Sequence, residues 1–137
     1  MTLLILRDDA LRSDGDGTSI RLSLPWIRSL PLASLRDLVV EIDGARIDDI
    51  VLRLGDREIA TGELSAEHGW WYLQDRLVLV SRRRLAPGPH RVDASFRLSI
   101  PYLPGGPDAA LTLPFRHERD CVLDAPAPRD DVSRDAA

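Results

Sequence analysis

Apolar and polar residues alternate with a period of two along most of the chain. From Ile20 the apolar positions are Ile20, Leu22, Leu24 and Trp26, with Arg21 and Ser23 between them. A longer run begins at Arg91: Val92, Ala94, Phe96, Leu98, Ile100 and Tyr102 share one face, and Arg91, Asp93, Ser95, Arg97 and Ser99 share the other. Strict alternation describes a strand with one face in a core and one in water, because successive side chains of extended backbone point to opposite sides. In a helix the same residues would scatter around the circumference. Shorter strands are predicted over 38–42, 50–54, 70–73, 77–80 and 111–115. Asp43-Gly44 and Gly55-Asp56 are hairpin signals, since tight primed turns need positive φ. Pro87-Gly88-Pro89 separates the strand ending near Ser81 from the long one. The stretch 101–107 carries Pro101, Pro104 and Pro107, which cannot donate to a ladder, so the long strand is expected to end there in a shaped loop. The one helical candidate is a turn over 32–37, after Pro31.

Short antiparallel strands at this spacing predict an all-β fold, an antiparallel β-sandwich of immunoglobulin-like or jelly-roll-like kind. The 137 residues suit a single domain with one core, which we place over 1–123. Residues 124–137 hold almost nothing to bury and are expected to be disordered or loosely docked. The apolar run at 3–6 is broken at once by Arg7, Asp8 and Asp9, far short of a membrane span, and no basic leader precedes it; a cytoplasmic protein without membrane attachment is expected. A net charge of −4 argues against a nucleic-acid surface, which needs a positive field. All 18 basic residues are arginine, as codon bias in a GC-rich genome produces. The single cysteine, Cys121, excludes an internal disulfide and a cysteine-based zinc site.

Catalytic chemistry is hard to find. His68, His90 and His117 form no H-x-H, H-x₃-H or H-E-x-x-H spacing, so no metal ligands are assigned. His90 reads as a strand-start residue, His117 within Arg116-His117-Glu118-Arg119 as part of a solvated charge cluster. His68 alone lies beside aromatics. Asp8-Asp9, Asp48-Asp49 and Asp130-Asp131 are adjacent pairs that on a strand point to opposite faces and cannot share a proton. No nucleophile elbow or phosphate-binding glycine loop is present. No catalytic residue is assigned.

The aromatic placement is more informative. Aromatics make up 5% of the chain, yet Trp70, Trp71 and Tyr72 are consecutive, so in a strand one tryptophan must leave the core side. An outward ring either covers a sheet edge or anchors a partner, since tryptophan and arginine are enriched at binding hot spots. Leu24-Pro25-Trp26-Ile27-Arg28 offers a second anchor, where proline ends a strand and presents an aromatic and an arginine. Arg82-Arg83-Arg84 reads as a solvated strand end that discourages edge pairing.

In order, these pieces resemble a known family. Leu24-Pro25-Trp26-Ile27-Arg28-Ser29-Leu30-Pro31-Leu32 is similar to a motif L/I-P-aromatic-aromatic-R-G-x-P-L. It is followed by Val40-Glu41-Ile42-Asp43-Gly44, by Trp71 with Asp75, and by Leu85-Ala86-Pro87-Gly88-Pro89-His90-Arg91-Val92. Leu98-Ser99-Ile100-Pro101-Tyr102-Leu103-Pro104 is similar to L-R-I-S-Y-M-P. Over residues 20–104 the chain resembles the small β subunit of bacterial C-glycoside deglycosidases, of actinobacterial type by its arginine usage. Ile27 stands where that family often has a second aromatic, and Ser29 where it has glycine.

The resemblance implies an accessory subunit of a hetero-oligomeric carbon–carbon lyase, with several copies of each chain allowed. The α subunit would be a TIM barrel holding a divalent metal, Mn²⁺, and this chain would hold no cofactor. The substrate would be a 3-oxo-C-glucoside of a flavonoid or related aromatic. Its ketone acidifies the C2 hydrogen, a base removes it, and the aryl group leaves as its carbon is protonated. The β subunit would stabilise the α subunit and shape its active-site mouth, with Trp26, Arg28, Tyr102, Pro104, Trp70 and Trp71 at the subunit interface and His68 near the substrate mouth. The alternatives are a stand-alone carbohydrate-binding module, with Trp26, Trp70 and Trp71 as a sugar-stacking platform, and a non-enzymatic scaffold protein.

Overall fold

The computed structural model describes residues 4–127 and 133–136. Among them are the strands β1 (Leu11–Asp14), β2 (Gly17–Ser23), β3 (Leu30–Pro31), β4 (Leu35–Ile42), β5 (Ala45–Arg46), β6 (Val51–Leu54) and β7 (Arg57–Ala60). These are followed by β8 (Trp70–Trp71), β9 (Asp75–Ser81), β10 (Pro89–Gly106), β11 (Ala109–Val122) and β12 (Arg134–Asp135). One sheet has the order β1-β2-β9-β6-β7 and the other β11-β10-β4-β5, while β3 and β8 form a small ribbon. The result is an all-β, antiparallel sandwich. Among the described residues helix is confined to 3-10 turns at Leu32–Ser34, where the one helical candidate lay, and Thr61–Ala66. No helix among the described residues is long and apolar enough to cross a membrane.

The alternation read from the sequence builds the core. Ile20 and Leu22 of β2, Leu77 and Leu79 of β9, Val92, Ala94, Phe96, Leu98 and Ile100 of β10, and Val40 and Ile42 of β4 are all buried in one cluster. Each large side chain so buried contributes about 1.5–3 kcal/mol. Asp43 and Gly44, both at positive φ, close the two-residue turn between β4 and β5, and Gly55 at φ 59 does the same between β6 and β7. At Gly17 the constraint is space: a Cβ there would lie 2.1 Å from the carbonyl oxygen of Ser81 on the neighbouring β9.

Two expectations change. The long strand does not end at Pro101: β10 runs on to Gly106, paired with β11 up to the turn at Pro107 and Asp108. Its last pair with β4 is Leu98 with Leu35. Beyond that point its other edge has no strand partner among the described residues, and a proline there costs no ladder bond. Register shifts between Ile100 and Pro104 break the alternation, which is why Tyr102 is exposed instead of joining the core face. The other change is at His117, which is not in a solvated cluster. The sequence suggested a strand over 111–115, but β11 continues to Val122 and turns this ring inward, where its Nδ1 accepts the Leu6 N–H at 3.0 Å.

The C-terminal segment falls partly outside the described residues, at 128–132 and 137. Within them, β12 pairs parallel with Asp75 and Arg76, and Arg134 and Asp135 form ion pairs with Asp75 and Arg21.

Candidate partner-docking site

The loop from Leu24 to Ser29 leaves β2 at the end of the sandwich where Pro25 stops the strand. Trp26 lies half-buried on the core, with its ring edge-on to Phe115 at 6.5 Å; Phe115 stacks on Phe96 at 6.0 Å, and Phe96 meets Trp71 at 6.1 Å. A line of aromatics thus runs from the interior to the surface. At its outer end the Trp26 indole N–H donates to the Tyr102 hydroxyl at 2.6 Å, and the Arg28 guanidinium lies 5.5 Å from the Tyr102 ring centroid. At an exposed site such a cation–π contact is worth about 0.5–1 kcal/mol. These contacts fix the loop against the projecting β10–β11 hairpin.

The other half of the surface comes from β8 and the turn after it. Leu30 and Pro31 pair with Trp71 and Trp70, and the Leu73 N–H donates to Ser29 Oγ at 2.9 Å. That bond gives Ser29 a role that a glycine could not fill, because a hydroxyl acceptor is required. Joined in this way, Ile27, Trp70, Tyr72, Leu73 and Tyr102 stand 46–71% exposed at one end of the molecule. Large apolar side chains gathered at one end, with a guanidinium and phenol hydroxyls among them, have the make-up of a protein-binding surface.

The structure brings together Trp26, Arg28 and Tyr102, sets Pro104 exposed two residues further along the hairpin, and attaches Trp70 through the ribbon. His68 is exposed next to Gly69, whose carbonyl accepts the Leu32 N–H at 3.0 Å, so it lies on the Trp70 side. Trp71 is a correction. It is 0% exposed, with its indole N–H on the Asp75 carbonyl at 3.0 Å, and belongs to the core. A three-ring sugar platform of Trp26, Trp70 and Trp71 is therefore not formed. Sequence reasoning missed Ile27, Tyr72 and Leu73 as surface anchors. For Ile27 the signal was its place in a loop after Pro25; Tyr72 and Leu73 were read as part of a strand over 70–73, whereas β8 ends at Trp71 and leaves both in the turn that follows.

Several titratable groups are tied into the fold. His90 is held between Asp43 Oδ2 and the Ala86 carbonyl, both at 2.6 Å, and the Asp43 bond in particular raises its pKa. Burial, helped by the Arg119 and Arg91 charges, lowers that of His117, and burial pushes up the Cys121 thiol. Among the described residues adjacent carboxylates go to separate partners: Asp9 is buried against Arg76 at 2.8 Å, while Asp8 pairs with Arg119; Asp130-Asp131 lies outside the described residues. Among the described residues no three His, Cys, Asp or Glu side chains come together in a way that could hold a metal ion.

No family model matches the chain. It is 36% identical over 104 residues to the 3'-dehydrocarminate deglycosidase beta subunit of a Microbacterium species, covering 73% of this chain and 79% of that protein. It is 29% identical over 103 residues to the C-glycoside deglycosidase beta subunit of Microbacterium trichothecenolyticum, covering 72% and 79%. Similarity of this extent, on an all-β sandwich, shows that the chain belongs to the family of C-glycoside deglycosidase β subunits.

Proposed function

We propose that this chain is the accessory β subunit of a hetero-oligomeric C-glycoside deglycosidase, a carbon–carbon lyase acting in the cytoplasm on 3-oxo-C-glucosides of flavonoids or related aromatics. The observation that carries the reading is the exposed end formed by Ile27, Trp70, Tyr72, Leu73 and Tyr102, which a chain working alone would be expected to cover. Its partner is a TIM-barrel α subunit, and the docked surface comprises these residues with Trp26, Arg28 and Pro104. Binding there stabilises the α subunit and places the β10–β11 hairpin and His68 near its active-site mouth.

A divalent metal, Mn²⁺, is assigned to the α subunit, where it would supply Lewis-acid stabilisation of negative charge. Among the described residues of this chain no group of three or more His, Cys, Asp or Glu side chains could hold such an ion. The ketone is a chemical requirement: without it the neighbouring C–H is far too weakly acidic for a side-chain base.

Reconstitution with the cognate α subunit and Mn²⁺ tests the proposal, with aglycone release followed by liquid chromatography. The mixture is expected to cleave a 3-oxo-C-glucoside and leave the unoxidised glucoside intact. Full activity of the α subunit alone, or cleavage by this chain alone, would overturn the assigned role.

A further inference from the structure

Residues 5–10 cross the open side of the sandwich and touch both sheets. On the β2 side, Ile5 and Ala10 accept the backbone N–H groups of Ser23 and Arg21, both at 2.8 Å, and Asp9 pairs with Arg76. On the β11 side, Leu6 is held through both of its backbone groups: its N–H donates to His117 Nδ1 at 3.0 Å, and its carbonyl accepts from Arg119 Nη1 at 3.0 Å. Ile5, Leu6 and Ala10 are buried beneath the crossing. The segment thereby lies over the face of β11 that carries His117, Arg119 and Cys121, whose thiol donates to the Arg7 carbonyl.

We infer that this crossing is a pH-sensitive strap, latched by neutral His117 and released when a proton is added at Nδ1. Because the Leu6 N–H is a donor, Nδ1 must present its lone pair, which fixes the ring as the Nε2–H tautomer. A proton at Nδ1 sets two donors against each other. It also creates a cation on the face of β11 that carries Arg119, whose guanidinium grips the same residue of the strap. The charged and titratable groups around the ring are Arg119 and the Cys121 thiol on β11, Arg91 on β10, and Arg7 and Asp8 on the strap. The carboxylate among these, Asp8, is bound to Arg119. Directly across on β10 the residue opposite is Ala94, which brings no charge. Glu118 and Asp120 are bound to Arg91. Burial and the two arginines favour the neutral ring, in keeping with the geometry.

Amide hydrogen exchange of the full chain, recorded with the ¹⁵N signals of the His117 ring from pH 7.5 to 5.5, tests the strap. At pH 7.5 the ring should be the neutral Nε2–H form. Below the ordinary imidazole value of about 6.5, protection of the Leu6 amide should fall about tenfold per pH unit, the slope of one proton taken up on opening. Protection of the Leu79 and Phe96 amides in the central strands should exceed that of Leu6 throughout. His117→Asn keeps an acceptor near Nδ1 but cannot titrate, so its Leu6 protection should be flat over this range. An Nδ1–H tautomer, a ring that titrates while Leu6 protection stays constant, or an unchanged pH profile in His117→Asn would each overturn the inference. The first two need no variant.

Discussion

Two adjacent tryptophans should differ sharply when each is replaced by alanine. Trp71 is 0% exposed, meets Phe96 at 6.1 Å, and satisfies the Asp75 carbonyl. Truncating a buried aromatic costs about 3–5 kcal/mol, and the Asp75 carbonyl loses its indole donor as well. A value near 4 kcal/mol is therefore expected for Trp71→Ala. Unfolding entropy of about 2.1 cal/mol/K per residue over 137 residues gives roughly 0.3 kcal/mol/K, so the Tm should drop by about 14 °C. Trp70 is 48% exposed beside Pro31, and Trp70→Ala should cost about 0.5–1 kcal/mol, which is under 4 °C. Thermal unfolding followed by circular dichroism reads both without depending on the tryptophan signal. Equal losses, or a larger loss for Trp70→Ala, would refute the assignment of Trp71 to the core and Trp70 to the surface.

Two further outcomes follow from the ion pairs. The pKa of His90 is raised, chiefly by its bond to Asp43, so its contribution to stability is complete below about pH 6.5 and is lost as pH rises through the elevated value. His117 has the opposite sign, its contribution being lost as pH falls from about 6.5 through its lowered value. Thermal midpoints from pH 5 to 9 should show a loss on the alkaline side that is absent in His90→Gln, and an identical profile in that variant would contradict the sign. Truncation after Ala127 removes β12 with its pairs to Asp75 and Arg21. Each ion pair joins an exposed residue to a largely buried one, Asp75 or Arg21, and Ala136 is buried as well, so the segment should be worth about 2 kcal/mol net of ordering; a denaturant titration showing no loss would leave it merely docked.

The sandwich was legible because its apolar positions keep the period of two: Ile20 and Leu22, and Val92, Ala94, Phe96, Leu98 and Ile100, point inward as the pattern requires. What alternation could not carry was pairing. The β10 prolines look like a stop signal, yet they lie where the strand has outrun β4 and lost nothing by lacking an N–H. His117 looks solvated among charged neighbours, because its strand mates do face water and only the strap, over 100 residues away in sequence, covers the ring. The exposed apolar end was half legible. Trp26, Arg28 and Tyr102 carried motif and chemistry, whereas Ile27 and Leu73 become neighbours through the ribbon of β3 and β8 and the Ser29–Leu73 bond, which no local pattern announces.

The central claim is that the end bearing Ile27 and Tyr102 is the surface that holds the α subunit. Affinity for the cognate α subunit, measured by calorimetry for the native chain, for Ile27→Asp and for Val122→Asp, tests it most directly. Both positions are at least half exposed, so neither change should unfold the chain, and they lie at opposite ends of the long β10–β11 hairpin, Val122 pairing with Pro89 far from Tyr102. A charge set into the docked surface should cost about 2 kcal/mol or more, roughly a thirtyfold rise in Kd. The account predicts that loss for Ile27→Asp and native affinity for Val122→Asp. Native affinity in Ile27→Asp, or loss confined to Val122→Asp, would contradict it.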